Sequence, residues 1–170
     1  MGLWEQIRHA LSSMFANLEG PSEAEQARLL AGLSEAYKTE RRLSTQIRDI
    51  ATLIPYEVFR QQLEAMAGED ERHADLLQQR LQGIGGHQRS PVGGQGMSLD
   101  GELARPWPRL LRVLADKRAL YEGYRHQANT LADAGLQMLL RQLQGDEDKH
   151  QEQLVELLTK LDAHVHETMA

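Results

Sequence analysis

The sequence predicts an all-α protein: a four-helix bundle made of two antiparallel hairpins joined by a long crossover, preceded by a short helix. Three observations carry that reading. Apolar residues recur at alternating spacings of three and four along four long stretches, the period of a helix that buries one stripe. Only 5% of the residues are aromatic and β-branched runs are absent, so no strand pattern competes. The second half also repeats the first, because a shift of 77 residues superposes Gly68 on Gly145, Asp70 on Glu147, His73 on His150 and Leu77 on Leu154.

Residues 1–20 read as a short amphipathic helix with Trp4, Ile7, Leu11, Phe15 and Leu18 on one face, ending at Glu19-Gly20-Pro21. Such a face suits packing on the bundle or on a neighbouring subunit. The bundle itself is expected over 21–163, with helices at about 22–54, 56–82, 106–132 and 135–162, a crossover at 83–105 and a tail at 164–170. Ser22 and Glu25 form a capping-box pattern that opens its first helix. The seam then runs Leu30, Leu33, Tyr37, Glu40, Ser44, Ile47, Ala51 and Ile54 until Pro55 interrupts it. The second helix follows at once with Phe59, Leu63, Met66, Asp70, His73 and Leu77, and so short a connection makes the pair antiparallel. Glu40 and Asp70 each lie fifteen residues from Pro55, which sets them at the same height.

Periodicity stops between Gln82 and Arg105, a stretch that holds seven of the fourteen glycines together with Ser90 and Pro91. Pro106 and Pro108 suit the first turn of the third helix, whose seam is Leu110, Leu114, Lys117, Tyr121, Tyr124 and Ala128. After a turn at 132–135 the fourth helix carries Leu136, Leu140, Leu143, Glu147, His150 and Leu154.

The chain as a whole excludes several classes of function. With no cysteine there is no thiol catalysis and no cysteine-bound zinc or iron–sulfur centre, and this usage fits a cytoplasmic location. A net charge of −6 speaks against a nucleic-acid partner. No run of 18 apolar residues is present to span a membrane, and the opening residues lack the apolar core of a signal peptide.

The seams contain residues that do not belong in an apolar stripe. Glu40, Asp70, His73, Glu147 and His150 fall at matching heights, and in each copy the acid precedes the histidine by three residues, so both face one side of their helix. Buried unpaired carboxylates cost several kcal/mol each, roughly, and a divalent cation removes that cost. Carboxylate oxygens with imidazole nitrogens suit iron(II), manganese or zinc, and two such ions can share bridging carboxylates. Glu69, Glu71, Asp146 and Asp148, on the flanks, read as solvated.

This pattern resembles the ferritin-like di-iron carboxylate superfamily, in particular its rubrerythrin-like branch without a rubredoxin domain, over about residues 22–160. In that superfamily two helices each give a glutamate and the other two each give a Glu-x-x-His motif, and a long crossover between hairpins distinguishes the bundle from the up-down kind. The resemblance implies that Glu40 matches the glutamate of the first helix, Asp70 and His73 the second, and Glu147 and His150 the fourth. Asp70 stands where glutamate is usual, and Lys117 falls where the third-helix glutamate would be. Asp116 and Glu122 are the nearby carboxylates that a rotation of that helix would bring in; otherwise Lys117 replaces one metal's charge and leaves a single-metal site. Tyr37, Lys117 and Tyr121 are the expected neighbours of the ligands.

What the resemblance implies for function is a metal-binding protein with two irons, or with one metal, manganese or zinc. It would oxidise iron(II) or reduce dioxygen or hydrogen peroxide with an external electron donor, as a homo-oligomer. Two other readings stay open: a non-catalytic bundle with a degenerate site, acting through oligomerisation or a protein partner, and a di-iron oxygenase on an organic substrate.

Overall fold

The computed structural model describes residues 22–85 and 105–168, with side chains as far as residue 161. The expected N-terminal helix and most of the crossover lie outside the described residues. Four helices follow in order: α1 (Glu23–Ala51), α2 (Glu57–Gly83), α3 (Pro106–Thr130) and α4 (Ala134–Thr168). None of them is long and apolar enough to cross a membrane.

The capping box of α1 is formed in both directions, with the Ser22 hydroxyl accepting from the Glu25 backbone N–H and a Glu25 carboxylate oxygen accepting from the Ser22 N–H at 2.8 Å. Its other end comes earlier than the seam suggests, at Ala51 rather than 54. Leu53 and Ile54 bond three residues back, to the carbonyls of Ile50 and Ala51. That tightened turn is the outcome expected ahead of Pro55, whose ring disfavours α conformation in the preceding residue. Pro106 occupies the first turn of α3, where its missing N–H costs nothing. Asp133 opens α4 by accepting the Leu136 N–H at 2.7 Å. The last helix continues to Thr168, beyond the expected end at 162.

Cross-helix partners fix the directions. Along α1, Gly32, Arg42 and Asp49 meet Gln127, Asp116 and Arg109 of α3, so these two helices run antiparallel. Likewise Glu69 and His73 of α2 meet His150 and Asp146 of α4. The order is therefore up, down, down, up. Because α2 and α3 point the same way, the end of α2 and the start of α3 lie at opposite ends of the bundle, roughly 40 Å apart at 1.5 Å per residue. Each hairpin buries a leucine-rich stripe between its helices, and the polar layer crosses the middle of that core.

Candidate metal centre

Four helices deliver one polar layer. Glu40 comes from α1, Asp70 and His73 from α2, Lys117 from α3, and Glu147 and His150 from α4, and none of the six residues is more than 5% exposed. Apart from Ser44, their buried neighbours one turn away include the apolar Leu43, Met66, Ala74, Leu120, Leu143 and Leu154. Water therefore does little to screen the layer, and its charges must satisfy one another or a bound ion.

Lys117 sits at the centre of one half. Its Nζ lies 2.5 Å from Asp70 Oδ1, 3.0 Å from Glu147 Oε1 and 3.1 Å from His150 Nδ1, with Glu40 Oε2 farther off at 3.9 Å. An ammonium has three hydrogens and no acceptor, so His150 Nδ1 is the accepting nitrogen of that pair. The opposite nitrogen, Nε2, then donates to Glu69 Oε2 at 2.8 Å. Burial alone would push the ammonium down, but Asp70, Glu147 and Glu40 more than offset it and raise it to about 12.

The other half is differently made. Glu40 Oε2, Asp70 Oδ2, Glu147 Oε2 and His73 Nδ1 are buried and have no hydrogen-bond partner, one atom on each of four converging residues. Only Ser44 Oγ and Gln127 Oε1 share that condition among the described residues. One potential ligand atom from each of Glu40, Asp70, His73 and Glu147 lies within 4.8 Å of the other three. Atoms bound to one metal at about 2.1 Å are at most about 4.2 Å apart, so small side-chain rotations would close the set. His73 Nδ1 stands 3.4 Å from Glu40 Oε1 and 3.5 Å from Glu147 Oε1, near enough for charge attraction without a hydrogen-bond alignment. Burial pushes its imidazole down while those two carboxylates pull it up, leaving it at about 10. Asp70 is raised to about 7, chiefly by burial, with Lys117 opposing and Glu40 and Glu147 adding to the rise. Glu147 is held well below the usual carboxylate range, since the histidines and Lys117 outweigh its burial.

Around this layer lies a ring of supports. Tyr124, on α3, donates to Glu40 Oε1 at 2.7 Å, and Oε2 of that carboxylate is left without a hydrogen bond. Its phenol is raised well above the ordinary value by burial and by the nearby Glu40 charge. Glu69 of α2 holds His150 of α4, and reciprocally Asp146 of α4 approaches His73 Nε2 of α2 at 3.5 Å. Outer carboxylates of this kind orient an imidazole and fix its tautomer. Glu69 and Asp146 are therefore not the solvated bystanders that the sequence suggests. The signal was present, since the two acids are equivalent under the shift of 77 and each directly precedes an acid-x-x-His motif.

The remaining sequence candidates lie elsewhere. Asp116 pairs with Arg42 at 2.9 Å and Glu122 with Arg125 at 2.7 Å, and neither carboxylate is among the converging atoms. Lys117, not a rotated neighbour, is what α3 presents to the layer, because Leu110, Val113, Leu114, Lys117, Leu120, Tyr124 and Ala128 form its buried stripe. Tyr37 is a core residue of α1 and Tyr121 sits at the edge of α3, so the tyrosine that touches the layer is Tyr124, through Glu40.

No family model and no curated protein matches this chain. Solved structures do. A protein of Xanthomonas campestris pv. campestris superposes with a TM-score of 0.69 at 19% identity, covering 85% of this chain and 97% of that one. A dodecameric thioferritin, the bacterioferritin-related protein of Bacteroides fragilis, superposes at 0.58 and 20% identity, over 83% of this chain and 90% of its own. The fold is ferritin-like. Within this ferritin-like bundle the buried carboxylate and histidine cluster occupies the mid-height of the four helices and is compatible with a metal site.

Proposed function

We propose that this protein binds one divalent transition-metal ion per chain through Glu40, Asp70, His73 and Glu147, with iron as its metal. The observation that carries the reading is that these four buried residues each bring a ligand atom to within 4.8 Å of the other three, and each also keeps a buried atom without a hydrogen-bond partner. Charge supports it. Three carboxylates and Lys117 leave the layer at −2, and a divalent ion, once His73 has given up its proton, brings it to zero. Three hard oxygens and one imidazole suit iron(II), manganese(II) or zinc(II). Tyr124 would hold Glu40 in its binding rotamer, and Asp146 would orient His73.

A single iron gives up one electron, whereas dioxygen needs four to become water. The geometry thus favours iron(II) binding and one-electron oxidation by an external acceptor, with a donor to return iron(III) to iron(II), over reactions run on a pair of irons. The non-catalytic reading has one specific observation in its favour, the complete pairing of Lys117. Assembly into a homo-oligomer belongs to the same proposal. Leu53, Tyr56 and Val58 at the α1–α2 turn and Trp107 and Leu111 at the start of α3 are exposed and share one end of the bundle. That apolar end is suited to burial against another copy, and the Bacteroides neighbour is itself dodecameric.

Anaerobic titration of metal-stripped protein with iron(II), followed by elemental analysis, tests the proposal. One iron per chain, abolished in His73→Ala and reduced in Glu40→Ala, is expected. Uptake no greater than that of the variants would leave the non-catalytic bundle.

A further inference from the structure

We infer that Lys117 is a tethered cation standing in the second metal position of this centre, and that this residue fixes its capacity at one ion. The inference rests on the metal-binding reading above and adds what sets its stoichiometry. Asp70, Glu147 and His150 surround Nζ as three ligands would surround a metal, two oxygens and one nitrogen drawn from the two helices that carry the acid-x-x-His copies. The contacts to Glu147 and His150, at 3.0 and 3.1 Å, have hydrogen-bond lengths and that to Asp70 is shorter, and all three exceed the about 2.0–2.2 Å at which a metal would hold the same atoms. Position in the chain agrees, since the shift of 77 puts Lys117 opposite Glu40. Each helix thus offers one charged group to the layer at the same height, and α3 offers a positive one.

The same geometry rules out other roles for this lysine. All three N–H groups are taken, the side chain is fully buried, and no lone pair is free to attack a carbonyl or to accept a proton. It is a counter-ion, not a nucleophile or base. An ion added beside it would share Asp70 and Glu147 with a positive charge a few ångströms away. Two divalent ions in its presence would leave the buried layer at +2, which the apolar surroundings disfavour. Removing the ammonium and supplying a carboxylate should therefore open a second site of Asp70, Glu147 and His150.

The test is equilibrium dialysis against zinc(II), a redox-inert probe, with bound metal counted by elemental analysis and folding checked by circular dichroism. Wild type, Lys117→Glu and the double variant Lys117→Glu/His150→Ala are compared. Lys117→Gln, neutral and of similar reach, covers the case in which Lys117→Glu does not fold. The expected counts are one ion for wild type, two for Lys117→Glu and one again for the double variant. A count for both Lys117→Glu and Lys117→Gln equal to that of wild type overturns the inference. A wild type that binds none sinks the metal-binding proposal instead, and the gain on substitution still reports on Lys117 alone.

Discussion

Replacing Lys117 by methionine removes one positive charge from the middle of the bundle while nearly preserving the volume it fills. The ammonium is raised from 10.5 to about 12, and at roughly 1.4 kcal/mol per pH unit the charged form is favoured in the folded state by about 2 kcal/mol. A raised lysine stabilises fully below 10.5 and loses that contribution as pH climbs through about 12, so at neutral pH all of it is present. Deletion also strands Asp70 Oδ1, Glu147 Oε1 and His150 Nδ1, which Lys117 satisfied. Breaking a buried pair from one side costs about 3–5 kcal/mol. Asp70 limits the damage by taking up a proton, because its carboxyl is already raised to about 7. Urea unfolding of the metal-free variant at pH 7 should therefore show a loss of about 3 kcal/mol or somewhat more, and a melting point lower by roughly 6–15 °C. Zinc(II) at about a hundred times its dissociation constant should return about 2.7 kcal/mol. A metal-free loss below about 1 kcal/mol with an unchanged denaturant slope would refute the view that Lys117 neutralises this layer.

Metal binding should release the proton that His73 carries, since its imidazole titrates at about 10 in the metal-free fold. Zinc affinity is accordingly expected to rise about tenfold per pH unit between 8 and 9 and more steeply near 7, where Asp70 also gives up a proton, read by calorimetry in buffers of different ionisation enthalpy; a flat profile would contradict it. In the metal-free protein the same histidine contributes stability that is complete below 6.5 and disappears as pH rises through about 10, so denaturant midpoints should fall between pH 7 and 10. Asp146→Asn should weaken metal binding by about 10-fold or more through His73, while Glu69→Gln, which touches His150, should leave it nearly unchanged. Equal effects of the two in dialysis would erase the distinction between the halves of the layer. Gly145→Ala should stabilise α4 by about 1 kcal/mol in thermal melts, since a Cβ there meets nothing within 4 Å and the helix loses a flexible residue.

Much of this arrangement is legible in the chain. The three-and-four spacing places Glu40, Asp70, His73, Glu147 and His150 on inward stripes because a helix of 3.6 residues per turn has few other ways to bury them. The glycine-rich interval at 82–105 implies a connection that returns along the bundle, and α2 and α3 do run parallel. What remained open was the rotation of α3. Its stripe could be drawn through Asp116, Lys117 or Glu122, and the outcome depends on where Arg42 of α1 stands to receive Asp116, a tertiary fact. Tyr124 rather than Tyr121 meets the layer for the same reason. The exchange of acids between hairpins was hidden differently: Glu69 and Asp146 are half-buried beside the inward stripes of their helices, and only the pairing of α2 with α4 tells which histidine each one meets.

The least intimate of the four neighbouring contacts is the one between α2 and α4; within each hairpin the helices pack far more closely, and α1 on α3 is intermediate. Yet it is α2 and α4 that carry both histidines, two of the three buried carboxylates and both outer acids. The two hairpins are thus like the covers of a book, bound along α1 and α3 and clasped along α2 and α4 by charge. An ion taken up by Glu40, Asp70, His73 and Glu147 would tie α1, α2 and α4 together and add most to the slightest of these contacts, the clasp between α2 and α4. Backbone amides of α2 and α4 should then slow together in hydrogen exchange when metal is added, so that a site read as chemistry also acts as a fastening between two copies of one hairpin.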